Sequence, residues 1–143
     1  MTELAKKLGI LPGDRVCLLD APPGAVETLR DEFPPEITLL KMLGEELNDV
    51  ILFWPHELDG FSARLRSLQF HIRPQGAIWV VMPKKKYARA SGIDFAWEGM
   101  QAAGLQNDLV DNKVVSLSEQ DYGTRFVIRK ERRYKYAAYV SVE

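Results

Sequence analysis

The sequence predicts an α/β three-layer sandwich whose sheet is mostly parallel and ends in a C-terminal antiparallel hairpin. Three observations carry this prediction. Two short apolar runs, Asp49-Val-Ile-Leu-Phe-Trp-Pro55 and Ala77-Ile-Trp-Val-Val-Met82, flank a segment with helical spacing. That is the pattern of a strand–helix–strand crossover in a parallel sheet. An earlier apolar run, Arg15 to Asp20, is likewise followed by a helical segment. The chain then closes on two β-rich runs, Leu109 to Leu117 and Thr124 to Arg129, joined by Ser118-Glu-Gln-Asp-Tyr-Gly123 in the manner of a hairpin.

Each element has its own local reason. Thr2 caps a short helix with Leu4, Ala5 and Leu8 on one side, and Gly9 stops it. Leu11-Pro-Gly-Asp14 turns the chain into the first buried strand, Arg15 to Asp20. Ala21-Pro-Pro-Gly24 opens a helix through Val26 and Leu29, which Pro34-Pro35 break; Ile37 to Lys41 is a shorter second strand. Only Met42 to Asn48 separate it from the strand that begins at Asp49, fewer residues than a helical crossover needs. The next helix carries Phe61, Leu65, Leu68 and Ile72 on its apolar face, with Pro74 and Gly76 turning the chain into the strand from Ala77. A basic loop, Pro83 to Ala90, leads to a helix capped by Ser91 or Asp94 that carries Ile93, Phe95, Trp97 and Met100. Residues 1–133 make a single domain, and residues 134–143 form a tail that adds an edge strand or stays disordered.

Composition narrows the function classes. A chain of 143 residues suits one domain with a real core. A net charge of -1 makes no electrostatic case for nucleic acid or for an anionic membrane. No apolar run approaches the roughly 20 residues of a transmembrane helix, and Met1 to Lys7 do not read as a signal peptide; the expected location is the cytoplasm. Cys17, the single cysteine, lies in an apolar run and reads as a small buried hydrophobe. Neither histidine has a second His or a Cys at ligand spacing, so no metal site is expected.

In such sheets ligands bind outside the carboxyl ends of the strands, near the point where the strand order reverses. That rim gathers Asp20, Pro23, Gly24, Trp54, Pro55, His56, Lys84, Lys85 and Ser91. Asp20 either caps the turn that follows it or faces a ligand. His56 is the one candidate general base, since histidine titrates near neutrality. Lys84, Lys85 and Lys86, with the helix start after Ser91, suit a phosphate or carboxylate. Arg129, Lys130, Arg132, Arg133 and Lys135 form a second basic cluster, which guards a sheet edge or meets an acidic partner.

The order of elements resembles the fold of the S-adenosylmethionine-dependent methyltransferases. Pro12-Gly-Asp-Arg-Val16 looks like the lead-in to that fold's first strand, Asp49 to Pro55 like its fourth, and Ile72-Arg-Pro-Gln-Gly76 like the turn before its fifth. The closing hairpin matches the reversed last strand. The chain also resembles, over nearly its whole length, a family of short bacterial proteins known as a domain of unknown function. That likeness rests on Thr2-Glu-Leu-Ala-Lys-Lys-Leu-Gly9, Trp79-Val80 with Pro83-Lys-Lys85, Val110-Asp-Asn-Lys-Val114 and Arg125-Phe-Val127; it implies a fold and no activity.

Three departures from the methyltransferase pattern matter. Its first loop runs Gly-x-Gly-x-Gly so that backbone can approach the cofactor; here Asp20-Ala-Pro-Pro-Gly24 keeps one glycine, and two prolines remove donors. Its second strand ends in an acid that holds the ribose; here Ile37 to Lys41 ends in lysine. The link from Met42 to Asn48 leaves no room for one strand–helix unit. The resemblance therefore implies a truncated methyltransferase-like domain with no cofactor, acting as a binding or interaction module for a small anionic ligand. The alternative is a methyltransferase that takes S-adenosylmethionine through a non-standard loop, with His56 as base. A rim closed by Pro22, Pro23 and Trp54 would exclude an adenosine-sized ligand. A third expectation is a homodimer through the C-terminal hairpin or tail.

Overall fold

Apolar strands buried on both faces need cover on both sides, and the chain supplies it with helices. The computed structural model describes residues 2–57, 59–87, 102 and 107–136. In chain order the elements are α1 (Glu3–Leu8), β1 (Arg15–Leu19), α2 (Ala25–Arg30), β2 (Thr38–Leu40), β3 (Asn48–Phe53), α3 (Phe61–Leu68), β4 (Ile72–Pro83), β5 (Leu109–Ser116) and β6 (Asp121–Ile128). Short 3₁₀ turns, Gln69–His71 and Lys130–Arg132, follow α3 and β6. The six strands form one sheet in the order β2-β1-β3-β4-β6-β5. The four strands from β2 to β4 run parallel, and β6 pairs antiparallel with both β4 and β5. The predicted fold class is the observed one.

Alternate residues of each strand feed two cores. On one face Cys17, Ile51, Ile78 and Phe126 pack against Phe61, Leu65 and Leu68 of α3. On the other, Val16, Leu52 and Trp79 meet Ala5 and Leu8 of α1 and Leu29 of α2. Thr2 caps α1, accepting the Ala5 N–H at 3.2 Å, and its hydroxyl donates to the Glu32 carbonyl at 2.6 Å. Trp79, fully buried, meets its need for an indole partner by donating to the Leu8 carbonyl at 3.1 Å. Burial pushes the Cys17 thiol up to about 11, the behaviour of a packed hydrophobe rather than a nucleophile.

Several boundaries differ from the sequence reading. Ile72 is not the last apolar residue of a helix: α3 stops at Leu68, and Ile72 opens β4. The predicted turn at Arg73 to Gly76 lies inside that same strand. Its register against β3 slips there, Asn48 pairing with Ile72 but Val50 with Ala77, and this bulge absorbs Pro74 and Gly76. Asp20 falls outside β1, and Tyr122 and Gly123 belong to β6 rather than to the hairpin connection. Residues 85–87, read as loop, are helical. Tyr136 is buried and donates to Asp108 Oδ2 at 2.9 Å. The predicted helix from Ser91, Trp97 within it, and the end of the tail lie outside the described residues.

Gly76 makes the bulge possible through space rather than through a special φ. A Cβ there would stand 2.9 Å from the Asp49 carbonyl oxygen and 3.0 Å from that of Arg73, both backbone atoms that no rotamer change can move. Gly76→Ala is expected to lower stability by about 1–3 kcal/mol, the usual cost of overpacking. A urea unfolding curve whose midpoint does not move would show that the bulge yields freely.

Candidate functional site

The strand order reverses at β1, with β2 on one side and β3 on the other. Their outgoing loops part there, and the carboxyl-end crevice between them is the natural ligand position. β1 ends at Leu19, and Asp20 takes the left-handed conformation, φ 58°. The Trp54 N–H donates to the Leu19 carbonyl at 3.1 Å, so the pairing of β1 with β3 runs one residue past the strand. The predicted rim residues then divide between the two faces of the sheet.

On the α3 face, Asp20, Pro55 and His56 line a cavity of about 220 Å³ together with Arg64. Arg64 Nη2 lies 3.5 Å from Asp20 Oδ2, and its guanidinium sits 5.3 Å from the Phe53 ring centroid. His56 Nε2 lies 3.2 Å from the Asp20 carbonyl oxygen. A hydrogen bond to a carbonyl requires the proton on Nε2, so a neutral His56 keeps Nδ1 as its only basic nitrogen. Asp20 thus turns its carboxylate to α3 and its carbonyl to the loop after β3. The two loops that frame the crevice are latched together.

On the opposite face, Pro23, Gly24 and Trp54 line a cleft of about 360 Å³. Glu32, Val81, Leu117 and Asp121 complete it. Pro22, Pro23 and Trp54 line this cleft without closing it, so the closure that would exclude an adenosine-sized ligand is not observed. The Pro22 carbonyl accepts the Ala25 N–H at 3.1 Å, and Gly24 turns with φ 84° into α2. Most of the cleft's lining is apolar, and Glu32 and Asp121 are its two acidic residues.

Lys84 and Lys85 occupy a third position. Lys84 Nζ donates to Ser116 Oγ at 2.7 Å, and its N–H donates to the Gln120 carbonyl at 2.7 Å. It is thereby fixed to the hairpin whose residues Leu117, Ser118 and Asp121 line the cleft. Lys85 is exposed, and Ser91 lies outside the described residues. The eight described residues of the predicted nine thus divide between two cavities and a cationic edge. Sequence reasoning missed Arg64, Glu32 and Asp121. Arg64 stands on the polar face of a helix, where charge usually means solvation, and the two acids reach the cleft only through the packing of α2 and the hairpin. Among the described residues no three His, Cys, Asp or Glu side chains are placed to hold a metal ion, and no helix is long and apolar enough to cross a membrane.

No protein-family model matches the chain, and no curated protein matches its sequence. Solved structures do match. A TehB-like SAM-dependent methyltransferase from Corynebacterium glutamicum superposes with a TM-score of 0.55 at 10% identity, over 90% of this chain and 89% of that one. The N-methyltransferase NodS from Bradyrhizobium japonicum gives 0.60 at 14% identity, over 90% and 93%. Magnesium protoporphyrin IX methyltransferase from Synechocystis, solved with bound SAH, gives 0.57 at 13%, over 85% and 77%. Likenesses at this level of identity establish the fold, which is that of the S-adenosylmethionine-dependent methyltransferases.

Burial in the cleft pushes the Asp121 carboxyl above its ordinary 3.8, with Lys84 pulling the other way. A carboxyl that holds its proton more tightly folded than unfolded adds stability below 3.8 and loses that contribution as pH rises through its raised folded value. Asp121→Asn removes this penalty. The variant's melting temperature is expected to exceed the wild type's at neutral pH and to converge with it below the ordinary carboxyl value. A difference that is the same at both pH values would mean that the cleft does not penalise the carboxylate.

Proposed function

We propose that this chain is a methyltransferase-fold binding domain that does not work through S-adenosylmethionine and that holds a small anionic ligand at its carboxyl rim. The observation that carries the reading is the latch on Asp20, held by His56 at 3.2 Å and by Arg64 at 3.5 Å across the crevice. The residues present do not fit the cofactor's usual cradle. Pro22 and Pro23 have no N–H to offer, and Gly24 is the only glycine in the loop. The exposed Lys41 follows β2, where an acid would be needed for the ribose hydroxyls. His56, with Nε2 committed to a carbonyl, is a loop brace before it is a base.

The cleft dictates how a ligand would sit. Its apolar sides, Trp54, Pro23 and Leu117, take an apolar body. Glu32 and Asp121 repel an anionic group from the interior, so that group belongs at the outer edge, near Lys84 and Lys85. One observation favours the alternative of a methyltransferase with a non-standard loop. At about 360 Å³ the cleft falls within the range of roughly 300–1,000 Å³ typical of small-molecule sites.

Calorimetric titration separates the two. Neither S-adenosylmethionine nor S-adenosylhomocysteine is expected to bind tighter than about 100 µM, equivalent to about 5 kcal/mol. Tighter binding of either overturns the reading and establishes the alternative. Benzoate, an aromatic body with one carboxylate, is expected to bind, and Lys84→Gln to weaken it by about tenfold, the scale of one charge-assisted hydrogen bond. Benzoate affinity that ignores Lys84 removes the anionic edge from the proposal.

A further inference from the structure

The amino end of the sheet, opposite the rim, holds a further cavity of about 210 Å³. Four charged residues line it: Asp14, Asp49, Arg73 and Arg125. Two of them satisfy each other. Asp49 Oδ1 lies 3.3 Å from Arg73 Nε, and its Oδ2 accepts the Arg15 N–H at 2.8 Å. The other two are left over. Asp14 Oδ2 accepts the Leu11 N–H at 2.9 Å, and its carboxylate has no cationic partner within ion-pair distance among the described residues. The guanidinium of Arg125, half-buried on β6 beside Trp79 of β4, forms no hydrogen bond or ion pair among the described residues. Burial and the neighbouring Arg133 both lower its pKa, and burial raises that of Asp14. Each group therefore lacks a direct ion pair in a half-buried setting, Arg73 acting on Asp14 only through space.

The charges fix the class of occupant. A simple anion would meet Arg125 but be repelled by Asp14, and a simple cation would meet the reverse. A neutral molecule would leave both groups desolvated and unpaired, which is costly. A guanidinium binds a carboxylate in bidentate fashion, and a carboxylate accepts from an ammonium. The cavity lies below the roughly 300 Å³ at which ordinary ligand pockets begin, and Leu8, Leu11 and Ala77 give it an apolar side. We propose that this cavity binds a free α-amino acid with a small apolar side chain, its carboxylate on Arg125 and its ammonium on Asp14. The site is independent of the rim.

The test is calorimetric titration of the full chain with L-alanine, L-valine and L-leucine in turn. At least one is expected to bind with a Kd below about 1 mM. The amide of that amino acid, which lacks the carboxylate, and the deaminated acid, which lacks the ammonium, are each expected to bind at least tenfold more weakly. Arg125→Gln should weaken the amino acid at least tenfold, and Asp14→Asn should abolish its advantage over the deaminated acid. No binding of any of the three with a Kd below about 1 mM, or unchanged affinity in a folded Arg125→Gln, overturns the proposal. If that variant fails to fold, the comparison of amino acid, amide and deaminated acid on the wild type decides alone.

Discussion

The link from β2 to β3 is the constraint on which the rest of this fold depends. Both strands lie parallel to β1, on opposite sides of it. The chain must therefore return from the carboxyl end of the sheet to its amino end across β1. A helical crossover takes a dozen residues or more, and only residues 41–47 are available. At roughly 3.3–3.6 Å per residue they reach at most about 25 Å, enough to run back past a short strand but not to build a layer. Leu40 and Leu43 are what cover the core at this corner. β2 accordingly remains a half-exposed edge of three residues, and the rim beyond it ends in the exposed Lys41 and Met42.

A crevice that has lost its outer wall leaves the β1–α2 loop to be held from the other side, and α3 supplies that hold. The energies show what kind of hold it is. Asp20 in the left-handed region costs about 1–2 kcal/mol, less for Asp than for most residues. Against this stand one neutral hydrogen bond of about 1 kcal/mol and an ion pair whose partners are 44% and 47% exposed, worth at most about 1 kcal/mol. Gain and cost are close to balance. The latch therefore sets the position of the loop and adds little to stability. Stability comes chiefly from apolar burial in the two cores, with the Trp79 hydrogen bond fixing α1 to the sheet.

The strands nearest the middle of the sheet were legible because burial on both faces writes itself as an unbroken apolar run, as in Val50 to Phe53 and Ala77 to Met82. The start of β4 was not. Ile72 follows Leu68 by four residues and is buried, so it satisfies a helical period while belonging to a strand. Pro74 and Gly76 are turn residues by propensity, and only the slipped register against β3, a property of the partner strand, lets them remain inside β4. The same limit applies at the rim. Asp20, Trp54 and His56 could be placed because they end or follow apolar runs. Which face each would serve could not, because a reversal in one loop, at Asp20, sends its carboxylate to α3 while Pro23 and Gly24 pass to the other side. Arg125 carried no signal either, since a charged residue in an alternating strand ordinarily faces solvent.

The two ends of the sheet now stand in opposite electrostatic conditions. At the carboxyl end Asp20 is paired with Arg64, and Lys84 is held by Ser116; Glu32 and Asp121 line the cleft, and burial penalises the charge of Asp121. At the amino end one acid and one guanidinium share a small cavity without pairing with each other. A fold does not choose between such ends, because function is decided by the groups placed on it. The parallel strands make the carboxyl rim the default ligand position, yet that default draws on glycine-rich backbone and a complete outer wall, which this chain has replaced by prolines and a short link. The amino end depends on neither. Its unpaired charges are set by β6 and by the turn before β1, both outside the region that the short link alters. The part of the scaffold that the truncation leaves intact is thus also the part whose charges remain unmatched.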